Sequence, residues 1–357
     1  MTWKEYELTN QTLADWLPWS AITQEHVMRC RDDGSVFGII QYRPFSKGER
    51  DHPRMELPSL GRGWCFWIEE QCAVQDVLTC YLIIFWNPLE KSNGMIANAP
   101  TDMPVRWEDM EEELAHLLHQ VARTFPQEAE ARVLSYQGIV DVLSYMLTMG
   151  RASVTMPDPP VDLDVVLTQD LSYDFSSNRV RLDGDTYLVV SLPSVVGSSE
   201  PVIEELLRTF ASRGCPGRHV QRLSLFDEAA AQKELQKYTD AWCSSRKYIK
   251  DCLLDRVIGE INGFYNNQLI FLVPAEQEAR MTACLEKKLM DIGIPFLIED
   301  FNAKNLWWGS LPAIHTAAVV PPICGFDAME DLLMTTGERG RVDVSDESFP
   351  QKAAPAL

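Results

Sequence analysis

Apolar residues follow two rhythms along this chain, and the change between them divides it. Val36–Tyr42 (VFGIIQY) reads as a strand after Asp32-Asp33-Gly34, whose Asp-Gly step favours a tight hairpin with the segment 26–31. A Pro/Gly-rich loop over 44–63 separates it from strand-like runs at 64–70 and 77–86, the second ended by Asn87-Pro88. Residues 107–125 change to helical spacing through Met110, Leu114, Leu117, Leu118 and Val121. Glu108, Asp109, Glu111, Glu112 and Glu113 suit the positive end of that helix dipole. Pro126 stops it, and a second helix is expected over 127–149. Met156-Pro157-Asp158-Pro159-Pro160 marks a boundary.

Beyond the boundary, strands and helices alternate: a strand at 186–192, a helix at 200–212 capped by Ser199, and a strand at 220–226. Helices over 228–242 and 246–259 come next, then a strand at 268–273, a helix at 276–290 closed by Gly293, and a strand at 294–299. The expected class is α+β. Antiparallel N-terminal strands and a helical pair (1–155) precede a ferredoxin-like βαβ, helical insert and βαβ sheet (156–320). Pro321-Pro322 and the polar tail read as a linker over 321–357.

Charge narrows the partners. The 357 residues hold 32 Lys+Arg against 52 Asp+Glu, a net charge of −20. Phosphate contacts need clustered Lys and Arg, so direct nucleic-acid binding and attraction to anionic lipid are not expected. The apolar run at 77–86 is too short to span a bilayer, and the N-terminus has no apolar signal core, which points to the cytoplasm. Nine cysteines without a C-x-x-C pair read as reduced, and Cys65, Cys72 and Cys80 read as core.

Catalytic signatures are absent. No G-x-x-x-x-G-K-[ST] and no G-x-G-x-x-G occurs, and Gly197-Ser198-Ser199 lacks the second glycine of a nucleophile elbow. Leu225-Phe226-Asp227-Glu228 imitates the magnesium-holding strand of P-loop enzymes, but reads as a strand end with Asp227 capping a helix. Glu112, His116 and His119 share one helix face and offer three metal ligands, with a solvated helix edge as the plain alternative. No catalytic, cofactor-binding or metal residue is assigned.

One segment adds a resemblance. Glu299-Asp300-Phe301-Asn302-Ala303-Lys304-Asn305-Leu306-Trp307-Trp308-Gly309-Ser310-Leu311-Pro312 resembles a signature of the type IV secretion and conjugative-transfer ATPases (TrbE/CagE/VirB type). Trp16-Leu17-Pro18-Trp19, Val161-Asp162-Leu163-Asp164, the strand at 186–192 with Pro193, and Leu225-Phe226-Asp227-Glu228-Ala229-Ala230 look similar too. Ala313 stands where that family has glycine. Read as a strand, 307–308 would turn its two tryptophans to opposite faces, at most one to the core and the other to a motor domain or partner, with burial of both under the following linker as the plain alternative.

The resemblance implies the non-catalytic N-terminal docking and oligomerisation domain of such an ATPase, without the P-loop motor domain. In the family the full protein uses ATP and magnesium at the cytoplasmic face of the bacterial inner membrane, to energise pilus assembly and substrate transfer. The implied partners are inner-membrane secretion subunits, other protomers and the protein's own motor domain. A free-standing adaptor of the same apparatus is the alternative, and a metal-dependent enzyme using Glu112, His116 and His119 a third reading.

Overall fold

β-Branched and aromatic runs build the centre of the molecule, and amphipathic helices cover it. The computed structural model describes residues 17–24, 26–30, 35–43, 64–73, 78–86, 107–155, 163–168, 171–175, 178–192, 200–225, 261–293, 296–300, 302–314 and 323–325. The first half supplies β1 (Trp19–Gln24), β2 (Val27–Cys30), β3 (Val36–Tyr42), β4 (Trp64–Cys72), β5 (Leu78–Trp86) and β6 (Arg132–Val133). Helix α1 (Trp107–Thr124) precedes β6 and α2 (Tyr136–Thr148) follows it. The second half supplies α3 (Leu163–Thr168), β7 (Tyr173–Asp174), β8 (Arg181–Leu182), β9 (Asp185–Ser191), α4 (Glu200–Ala211) and β10 (Gly217–Leu225). It continues through β11 (Ile261–Val273), α5 (Glu278–Ile292), β12 (Leu297–Ile298), α6 (Ala303–Gly309) and β13 (Ile323–Gly325).

All described pairings are antiparallel, and the class is α+β. The strands join one sheet in the order β1-β2-β3-β5-β4-β10-β11-β9-β8-β7, with β6 on β3, β12 on β9 and β13 on β11. Alternating side chains feed two cores. On one face Ile40, Phe66, Leu82, Val190 and Phe271 meet Leu114 and Leu118 of α1, Phe210 of α4 and Leu285 of α5. On the other, Phe37, Trp67, Phe85, Val189 and Ile270 meet Leu143 of α2, Leu163 of α3 and Trp307 of α6. The helices α1 and α2 therefore sit on opposite faces of the sheet.

The strand order is a palindrome, because the two halves repeat one connectivity. Each lays down a hairpin-linked trio, then a strand that crosses to the junction, a return strand, a helix, and a short strand beside the trio's third member. The register repeats as well. Ile40–Leu82 recurs as Val190–Leu269, Phe66–Ile84 as Gly217–Phe271, and Ile40–Val133 as Val190–Ile298. The bond from Leu134 N to Ile39 O (2.9 Å) recurs from Glu299 N to Val189 O (3.0 Å). The correspondence that takes Phe66 to Gly217 takes Glu69 to Val220, and these two are register partners across β4 and β10. A pseudo-two-fold axis therefore passes through the junction, perpendicular to the sheet.

Two expectations change. The helix expected over 127–149 is interrupted: Pro126 opens a 3₁₀ turn at Gln127–Ala129, Glu130 turns back at φ 46°, and Arg132–Val133 joins β3. Pairing with a strand edge outweighs helical propensity there, and α2 begins only after Ser135. The strand expected at 268–273 extends to Ile261–Val273. The hairpin turn at Asp32-Asp33-Gly34, the cap Ser199, both helices between 228 and 259, the boundary at 156–160 and most of the tail lie outside the described residues. In the second half, Asp183 (φ 51°) and Gly184 (φ 90°) make the left-handed turn that joins β8 to β9.

Gly38 permits the close approach of α1. A Cβ there would stand 2.2 Å from Leu118 Cδ1 and 2.9 Å from the His26 carbonyl oxygen. Its counterpart in the second half is Leu188. Gly38→Ala should cost about 1–3 kcal/mol through overpacking, seen as a lower urea midpoint with an unchanged slope.

Candidate functional site

Three consecutive polar residues, Glu69-Glu70-Gln71, interrupt the apolar run of β4 at the junction, and Arg218-His219 answer them on β10. Strand alternation sends them to both faces. On the α6 face, the Glu69 and Arg218 side chains are both 0% exposed, and Arg218 Nη1 lies 3.0 Å from Glu69 Oε2 and 3.2 Å from Oε1. Gln71 donates to Glu69 Oε1 at 2.8 Å, and Arg218 Nη2 donates to Ser310 Oγ. Burial pushes the Glu69 carboxyl up from its ordinary value, with Arg218 and then Gln71 pulling it back. Arg218 Nε, Trp67 Nε1 and Trp307 Nε1 are buried without a hydrogen-bond partner among the described residues.

On the opposite face, His219 bridges Glu70 and Asn267. Its Nδ1 lies 2.7 Å from Glu70 Oε2 and its Nε2 2.7 Å from Asn267 Oδ1. Both ring nitrogens are thus engaged within the sheet, which suits holding three strands together rather than moving a substrate proton. From α2, the Tyr145 hydroxyl donates to the carbonyl oxygens of Cys72 (2.9 Å) and Gly217 (3.3 Å), register partners at the end of the junction.

The 299–312 segment folds onto this junction. Glu299 is buried and accepts from Ser191 Oγ at 2.6 Å. The next residues form the helix α6, not a strand, so Trp307 and Trp308 are one helical step apart instead of on opposite faces. Trp307 is fully buried, its ring centroid 5.4 Å from that of Tyr187 and 5.9 Å from that of Tyr173. Trp308 is only half-buried. Ser310 meets Arg218, Leu311 enters the core, and Pro312 O accepts from Trp19 Nε1 at 2.9 Å. Ala313, at the glycine position of the resemblance, has φ 65°.

No family model and no curated protein matches the chain. The arrangement around Arg218 is a buried structural polar centre with an aromatic helix over it, on which Trp308 is half-buried.

The other candidates are spread apart. Glu112, His116 and His119 are exposed on α1, where His116 meets Gln120 at 2.7 Å and His119 stands edge-on to His26, with ring centroids 5.3 Å apart. Among the described residues no His/Cys/Asp/Glu group could hold a metal ion. Cys65, Cys72 and Cys80 are buried thiols outside any disulfide among the described residues, in β4 and β5; Cys65 Sγ accepts from Arg222 Nε at 3.4 Å, and that guanidinium also covers the Trp67 ring at 4.6 Å. Asp227 lies outside the described residues. Sequence reasoning missed Glu69, Glu70, Arg218, His219 and Asn267. Their signal was available: acidic residues inside one strand pattern and basic ones beside another.

Removing one member of the central pair leaves a buried charge unmatched. Glu69→Leu should destabilise the fold by about 3–5 kcal/mol, whereas Glu69→Leu with Arg218→Met should recover most of that loss, measured by denaturant unfolding. At Ala313 the sign reverses. Ala313→Gly should stabilise by about 0.5–1 kcal/mol, because a left-handed backbone costs an alanine more than a glycine.

Proposed function

We propose that this chain is the non-catalytic docking and oligomerisation domain of a type IV secretion ATPase, the machine that energises conjugative pilus assembly and substrate transfer. The observation that carries this reading is Ala313. The resemblance calls for glycine after Pro312, and the backbone there adopts φ 65°, the conformation glycine serves best. A second point supports it: Trp19 and Pro312, from two segments of the resemblance far apart in sequence, share a hydrogen bond.

The domain's part in such a machine is mechanical. A continuous sheet clamped by a buried ion pair offers a rigid body, and half-buried Trp308 on α6 offers an aromatic anchor for the motor domain. Among the described residues, no helix is long and apolar enough to cross a membrane. In this reading, inner-membrane secretion subunits hold the domain at the cytoplasmic face. ATP and magnesium belong to the motor domain.

The test is recovery of partners from a conjugating cell. A tagged chain should co-purify with the motor ATPase and inner-membrane secretion subunits, and Trp308→Ala should weaken binding to the purified motor domain by about tenfold or more with unchanged circular dichroism. Recovery of no secretion component would sink the assignment. The isolated chain should show background ATP turnover.

A further inference from the structure

The two repeats differ at one edge. In the first, β6 carries Arg132, which donates to Gln41 Oε1 from Nε (3.0 Å) and Nη2 (2.6 Å). Its register counterpart in the second repeat is Leu297 of β12, opposite Ser191. Charged residues at a sheet edge oppose pairing with other chains. The first repeat has that protection, and the second has an apolar side chain, 57% exposed, at the same register position.

The surroundings of Leu297 are shaped for an occupant. A cavity of about 420 Å³ opens here, bounded by Leu188, Phe296, Leu297 and Met290. Phe296 and Ile298 pack against the core, so Leu297 between them turns to the other side, and the cavity lies between β12 and Thr282, Glu286 and Met290 of α5. Among the described residues β9 is the strand paired with β12. Met290, 67% exposed, stands at the mouth with a flexible thioether that adapts to what it meets.

Charge specifies the occupant further. Glu286 and Asp300 line the cavity, and the cation among its described lining residues, Arg179, is already engaged by Glu278 and by Asp300 at 2.6 Å. With Asp300 answered by Arg179, Glu286 is the acidic excess of the lining beside its apolar contacts. We propose that the edge of β12 is a docking site for an extended partner segment that adds a strand and alternates apolar with Lys or Arg side chains. Backbone pairing would supply the affinity, and the apolar floor and acidic rim the selection. This edge does not include Trp308 or the Arg218 junction, so its failure leaves the assignment to a secretion ATPase untouched.

A fluorescein-labelled peptide of alternating valine and lysine serves as the probe, read by anisotropy, with alternating valine and glutamate as its counterpart. The lysine peptide should bind the intact chain and the glutamate peptide should not. Leu297→Arg copies the residue of the first repeat onto an exposed position, so it should fold normally while weakening the lysine peptide by about tenfold or more. Glu286→Lys should weaken it comparably. No binding, or equal binding by wild type and Leu297→Arg, would overturn the proposal; the latter would mean attraction to the acidic surface at large.

Discussion

Arg218 and Glu69 meet in the middle of the sheet with neither side chain reaching solvent, and the two halves of the chain are joined where they meet. A buried ion pair is a poor source of net stability, because desolvation takes back most of its attraction. What it supplies is intolerance of the wrong pairing. A one-residue slip between β4 and β10 would turn every side chain to the opposite face and strand both charges among hydrocarbon. Glu70, His219 and Asn267 repeat the constraint on the other face, so the junction is specified from both sides.

The pseudo-two-fold axis explains why such a centre needs two repeats that differ in sequence. In a symmetric pairing of identical repeats, a charge near the axis would face its own copy, and like charges opposite one another are unfavourable. Here the axis relates Glu69 to Val220 and Trp67 to Arg218. The difference between the repeats places acid on one side and base on the other, and sets Arg222 across from Trp67, whose ring it covers. Residues that break the symmetry hold the symmetric backbone together.

Much of this fold could be read from the residues, and the limits have physical causes. The helix α1 was legible because its apolar residues repeat at 3.6-residue spacing, and α5 because Gly293 closes it at φ 77°. The segment after Pro126 was not legible, because a two-residue strand leaves no periodicity. The internal repeat was hidden for a different reason. Backbone register is retained while Gly38 answers to Leu188 and Phe66 to Gly217, so hydrogen-bond pairing survives where side-chain likeness does not. The helix at 303–309 was not legible, since two adjacent tryptophans fit a strand or a helix until Tyr187 and Tyr173 enclose the first.

The bond from Trp19 to Pro312 sets a schedule as well as a contact. Its partners are 293 positions apart, so on the ribosome the indole of Trp19 is made long before the carbonyl that accepts from it. At about 5–20 residues per second that interval is roughly 15–60 s. For about half of that interval, between the making of β4 and that of β10, the first half can complete its own hairpins while Glu69 and Glu70 stay uncovered. The acidic pair is still hydrated then, and carboxylates on an unfilled edge keep nascent chains from pairing with one another.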